Sequence, residues 1–188
     1  ICMAVVLRAS GALWLEAHQT LIVADLHLEK GSAYAARGQM LPPYDTRETL
    51  SRLTGEVASL RPRCVIFLGD TLHDGRAEAR IAVDDVRTLN ALAEGLDLVW
   101  VVGNHDADGP VHLPGRRADT VEIGPLLFRH EPVPGSQPGE VAGHLHPCAK
   151  VKGRGRNVRR RCFATDGQRL ILDRKSTRLN SSHSSVSR

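Results

Sequence analysis

Aromatic residues make up only 4% of this 188-residue chain, so no array of rings for stacking exposed bases is evident. The four cysteines, Cys2, Cys64, Cys148 and Cys162, include no C-x-x-C pair. Reduced thiols in a cytoplasmic protein are the expectation. No run approaches the ~20 apolar residues that span a bilayer, so no membrane partner is expected. The N-terminus shows no signal-peptide order of charged, apolar and small residues. It opens on Ile1 rather than Met, which fits a fragment or a start at Met3. There is no internal repeat. The remainder, 41% apolar and 24% charged, is the composition of one globular domain with a sizeable core.

Acidic residues are absent from 150–161, where Lys150, Lys152, Arg154, Arg156, Arg159, Arg160 and Arg161 give +7. Residues 1–149 sum to −6, and 173–188 to +3, within a net charge of +4. The chain is therefore an acidic body with one basic strip. Lys150, Lys152, Arg154 and Arg156 alternate, and on a strand all four would point one way. That suits nucleic-acid binding through the phosphate backbone, or equally a solvated edge that resists aggregation.

Residues 173–188 lack an apolar period and read as a disordered polar tail. Asp173 to His183 resembles an in-frame translation of a common sequencing adaptor. The expected domain is thus 1–172, cut short at its C-terminus, followed by a tail without bearing on function.

What the chain does have is a set of apolar runs that end in polar side chains. Leu96 to Val102 runs into Gly103-Asn104-His105-Asp106. Thr20 to Ala24 leads to Asp25-Leu26-His27, and Cys64 to Leu68 to Gly69-Asp70, with His73-Asp74 just after. Leu126 to Phe128 precedes His130, and Val141-Ala142 precedes Gly143-His144-Leu145-His146. Polar groups gathered at strand ends indicate a site rather than packing.

Ala12–Glu16 and Thr20–Ala24 predict an opening hairpin. On an extended backbone Asp25 and His27 would point to the same side and reach one metal. Residues 29–43 are punctuated by Gly and Pro and predict a loop with a short helix. Asp45-Thr46-Arg47-Glu48 has the pattern of a capping box. Leu50, Leu53, Val57 and Leu60 form the apolar stripe of the helix that follows, and Pro62 ends it. A second helix is predicted over 77–94, with Ile81, Val86, Leu89 and Ala93 inward and Gly95 as cap. Strands alternating with helices predict an α/β domain with partly parallel pairing. Residues 121–128, 140–142, 150–158 and 161–172 predict strands of a second sheet.

Six of the nine histidines lie in the strand-end segments, alongside Asp25 and Asp70. Mixed imidazole, carboxylate and amide ligands suit Mn, Fe or Zn better than Mg or Ca. No cysteine lies among them, which excludes a Cys-rich structural zinc site there. His18 and His112 match no motif and read as surface residues.

Asp25-x-His27, Gly69-Asp70, Gly103-Asn104-His105-Asp106, His130 and Gly143-His144-x-His146, in that order, resemble the calcineurin-like metallophosphoesterases. Residues 24–31 and 39–46 are similar to the bacterial ligase-associated DNA damage response endonucleases, the PdeM type. The resemblance implies a four-layer α/β/β/α metallophosphoesterase sandwich. It implies two divalent metal ions, manganese first, with iron or zinc as substitutes. Asp25, His27 and His146 would hold one, Asn104, His130 and His144 the other, and Asp70 would bridge them, ~3.5–4 Å apart. Water activated there attacks phosphorus in line.

His105 would stay off the metals and assist the leaving oxygen. His73 would pair with His105, as in the nuclease branch; otherwise it is a loop imidazole. Asp74 and Asp106 are candidates to orient imidazoles, or to cap turns.

The implied activity is a metal-dependent phosphodiesterase, acting on DNA as a repair endonuclease. A ligase and a helicase are implied as repair partners, and a homodimer stays open. Two other readings remain: a phosphodiesterase of small cyclic nucleotides, and a metal-binding scaffold without catalysis. A scaffold has no use for a non-ligand histidine such as His105.

Overall fold

The computed structural model describes residues 4–39, 44–153 and 156–173. Strands β1 (Val5–Leu7), β2 (Leu13–Leu15) and β3 (Thr20–Ala24) open the chain as an antiparallel meander. The predicted hairpin is β2–β3. The edge strand β1, only three residues long, had no signal of its own. Helices α1 (Lys30–Ala35) and α2 (Asp45–Leu60) follow, then β4 (Cys64–Leu68), α3 (Val83–Ala93), β5 (Asp97–Val101) and β6 (Arg116–Ala118). The six strands form one sheet in sequential order, with β3, β4, β5 and β6 parallel. Crossovers through α2 and α3 and the loop 102–115 make this possible, since parallel neighbours need a long connection.

Alternate residues of the central strands divide two cores. Leu21, Val23, Val65, Phe67, Leu98 and Trp100 face Leu50, Leu53 and Leu89 of the helices. Phe67 and Trp100 stack there with ring centroids 4.1 Å apart. Ile22, Ala24, Ile66, Leu68, Val99 and Val101 face the second sheet through Phe128, Val141 and Leu172. A sheet covered on both sides reads as unbroken apolar runs, as these strands do.

The second sheet contains β7 (Thr120–Ile123), β8 (Leu126–Arg129), β9 (Glu140–Ala142), β12 (Ala164–Thr165) and β13 (Leu170–Ile171), in the order β12-β13-β9-β8-β7. This is the mixed α/β sandwich expected. Among the described residues, all helices precede β6, so one helical layer and two sheet layers are described.

Four local expectations need correction. Residues 121–128 are two strands joined at Gly124-Pro125, not one. Among the described residues, the segment 150–158 does not join the second sheet: β10 (Cys148–Gly153) and β11 (Arg156–Arg161) pair with each other. The segment 77–94 is broken, because Ile81 and Ala82 adopt extended ψ values of 129° and 145° between a 3-10 turn and α3. No side chain caps α2. Instead Asp45 accepts the Gly31 amide at 2.9 Å and Thr46 donates to Glu29 at 2.8 Å, tying α1 to α2.

The basic strip divides between two strands. Lys150 and Lys152 lie on β10, and Arg156 lies on β11 opposite Gly153, a rung out of line with them. Arg154 lies outside the described residues, as do residues 174–188 of the expected tail. Asp173 is described: it is 5% exposed and lies 3.7 Å from Arg161. Among the described residues no helix is long and apolar enough to cross a membrane.

Candidate active site

Because β3, β4 and β5 run parallel, their C-terminal ends share one edge, where ligands bind in open parallel sheets. β8 and β9 are parallel as well, so His130 and His144 leave the second sheet side by side. The Gly143 amide bonds the His130 carbonyl at 3.0 Å. The two edges meet where the His144 amide donates to both oxygens of Asp25, at 3.2 and 3.0 Å.

The residues carrying the site do not continue as strands. Asp25, His27, Asp70, His144 and His146 all have positive φ, between 45° and 65°. Such a backbone costs roughly 1–3 kcal/mol per residue and persists where the surroundings hold it. Asp25 and His27 therefore do not converge as alternate positions of an extended strand. They converge because the left-handed residues coil the loop after β3 against that after β4. Asp25 N–H bonds Gly69 O at 3.1 Å, His27 N–H bonds Asp70 O at 2.9 Å, and Leu28 N–H bonds Thr71 O at 2.7 Å.

The side chains gather into two groups, Asp25–His27–His146 and Asp70–His130–His144, each with its ligand atoms within 4.8 Å of one another. Asn104 belongs to the second group: its Oδ1 lies 2.8 Å from His130 Nε2 and 3.1 Å from His144 Nδ1. Asp70 stands between the groups. Its Oδ1 is 3.4 Å from His130 Nε2, and its Oδ2 is 3.9 Å from His27 Nε2. Oxygens and ring nitrogens converging in this way, those of Asp25, His27, Asp70 and His130 from buried residues, form a donor set that fits divalent transition-metal cations.

Electrostatics support an ionised Asp70. Burial works against its charge, but the His130 contact, the His105 amide at 2.9 Å and the charges of His130 and His27 outweigh it. Its pKa falls to about 2. Burial also disfavours the His130 cation, yet Asp70 and Asp25 raise its pKa.

His105 is exposed beside these groups. Its ring lies 5.3 Å from that of His27 and stacks on His73 at 6.0 Å. Its Nδ1 is 3.2 Å from the His73 carbonyl oxygen. His73 thus meets His105 through its main-chain carbonyl and a ring face. Asp106 braces loops rather than an imidazole, accepting the amides of Gly103 at 2.8 Å and Leu72 at 3.0 Å. Burial, helped by Asp70, raises its pKa against the pull of those amides. Asp74 turns away to Arg80, both oxygens at 2.9 Å from Nη2. Arg80, and Tyr34 with its ring 6.0 Å from His73, had no motif to mark them. His18 and His112 are exposed, as expected.

Two glycines make the close approach possible. A Cβ on Gly69, at φ +70°, would fall on the His130 ring. One on Gly103 would fall on the backbone nitrogen and Oδ1 of Asp70. Gly103→Ala is therefore expected to destabilise the protein by about 1–3 kcal/mol. An unchanged denaturant midpoint would show that the loops are looser than described.

The sequence pattern of calcineurin-like phosphoesterases matches residues 18–175. A Pseudomonas putida nuclease, MPE, is similar in structure at a TM-score of 0.76 and 32% identity, over 93% of this chain and 84% of that one. YfcE, a phosphoesterase from E. coli, aligns at 17% identity and a TM-score of 0.44, over 86% of this chain and 82% of that one. Curated protein sequences give no match. Matched over most of its length, and carrying two candidate metal clusters where its two sheets meet, the chain belongs to the calcineurin-like phosphoesterases, a family of metal-dependent hydrolases.

Proposed function

We propose that the protein is a dinuclear, manganese-dependent phosphodiesterase that cleaves DNA. The observation that carries this reading is the placing of Asp70, whose two oxygens address the two clusters separately. In this reading Asp25, His27 and His146 hold one ion, Asn104, His130 and His144 the second, and Asp70 both. Iron or zinc would serve the same donors. When bound, the pair supplies Lewis-acid polarisation of the phosphoryl oxygens and a nucleophile at neutral pH.

The chain's own residues do the rest. A carbonyl oxygen only accepts, so the His73 carbonyl keeps a proton on His105 Nδ1. The proton to be donated is then the second one that the imidazolium carries on Nε2, 3.9 Å from Asp70 Oδ2. His105 donates that proton, and His73 positions it. Asp106 fixes the spacing of the Asp70 and Asn104 loops.

DNA as substrate is supported by the likeness to the Pseudomonas putida nuclease. A repair setting with ligase and helicase partners, in the cytoplasm, belongs to the same reading and rests on resemblance alone. The charge of −6 over residues 1–149 favours a second reading, a small cyclic nucleotide as substrate, since an acidic body repels a polyanion.

A substrate screen with and without Mn²⁺ tests both. Bis(p-nitrophenyl) phosphate and DNA are expected to be hydrolysed only with metal, and a chelator to stop both. Cyclic nucleotides hydrolysed while DNA stays intact would select the second reading. Hydrolysis indifferent to metal would overturn the proposal.

A further inference from the structure

Two residues after His146 the chain leaves both sheets. β10 and β11 form a separate ribbon with six paired positions, running from Cys148↔Arg161 to Gly153↔Arg156. Opposed residues in an antiparallel pair share a face. Lys150↔Arg159, Lys152↔Asn157 and Cys148↔Arg161 therefore make one face, and Ala149↔Arg160 and Val151↔Val158 the other. The first carries four cations on three adjacent rungs. The second is interrupted by its valine pair.

The ribbon does not earn its place by packing. Residues 149–152, Asn157, Arg159 and Arg160 are exposed, and Val151 is 51% exposed. Lys150 lies directly across from Arg159, and like charges so opposed destabilise a pair of strands. No acid occurs between Glu140 and Asp166. Among the described residues, the acid paired with a cation of this face is Asp173, at Arg161. The arrangement is costly alone and becomes favourable against a linear polyanion.

We propose that the Lys150–Lys152–Arg159–Arg161 face is a backbone clamp for a polynucleotide strand running out of the active site past His146. The proposal rests on the nuclease reading and adds where the polymer lies. Lys150 and Lys152 follow His146 by four and six residues. At ~3.3 Å per residue that is at most roughly 13–20 Å of chain from His146, a span that a polynucleotide covers. Residues 148–161 contain no aromatic side chain, so this contact is blind to base sequence and set by salt. One exposed valine is too little apolar surface to seat the ribbon in a membrane.

The test is binding of phosphorothioate-linked single-stranded DNA, which resists hydrolysis, across a KCl series by fluorescence anisotropy. K150Q/K152Q/R159Q is compared with R160Q, whose side chain belongs to the other face. The triple variant is expected to flatten the slope of log K against log salt by about 2, at ~0.7 for each phosphate no longer neutralised, and R160Q to leave it unchanged. Thermal unfolding of both variants establishes that they fold. Equal flattening per charge in the two would mean a diffuse field rather than a clamp, and no flattening in either would also overturn it. So would a parent protein that ignores DNA but binds anionic lipid vesicles. The nuclease reading fails separately, if the parent cannot hydrolyse a small phosphodiester with Mn²⁺.

Discussion

Asp70→Asn is expected to lower the occupancy of both metal clusters together and to reduce phosphodiester turnover by on the order of 10²–10³-fold. The substitution keeps the size of the side chain and one oxygen, so the bond from the His105 amide survives while that oxygen stays on the His130 side. It removes the negative charge and turns one of two metal-facing atoms into an N–H donor. A donor pointed at a cation repels it. The oxygen can remain on the His130 side or turn to the His27 side, but it cannot serve both. Metal titration of the variant is the measurement. Loss confined to one cluster would mean that Asp70 is an ordinary ligand of one ion, and full retention of both would remove it from the site.

His105→Ala is expected to do the opposite with metal: content stays at the parent level while turnover falls by roughly 10²–10⁴-fold, the range for absent acid–base assistance. The ring is exposed and lies outside both candidate clusters. The effect should depend on the leaving group. A nitrophenolate departs with little need of a proton, whereas a sugar alkoxide needs one. The loss should therefore shrink on bis(p-nitrophenyl) phosphate and stand in full on alkyl diesters or DNA. An equal loss on both would assign His105 to positioning the substrate instead.

The strands that bring these residues together were legible because burial on both faces leaves a plain mark. The run Cys64–Leu68 is β4 to the residue, and Thr20–Ala24 is β3. The polar residues after each run were legible for the same reason, since they interrupt apolar sequence at the edge where ligands bind. Backbone shape there was not legible. Nothing in Asp25-Leu26-His27 announces left-handed residues; the two side chains do come together, but not as alternate positions of an extended strand. Asp45 and Thr46 had the spacing of a helix cap, yet the loop of α1 competes for the same oxygens and wins. β6, Arg-Arg-Ala, has no apolar alternation because its partly exposed edge needs none. The basic ribbon looked like one straight strip because alternation alone cannot reveal that Arg156–Arg161 pairs antiparallel with Cys148–Gly153.

The central claim, two cations joined through Asp70, is tested most directly by electron paramagnetic resonance of the protein titrated with Mn²⁺. Saturation at two ions per chain, with the altered hyperfine pattern of exchange-coupled manganese, is the predicted result. Saturation at one ion, or two ions that each keep the pattern of isolated Mn²⁺, would contradict it.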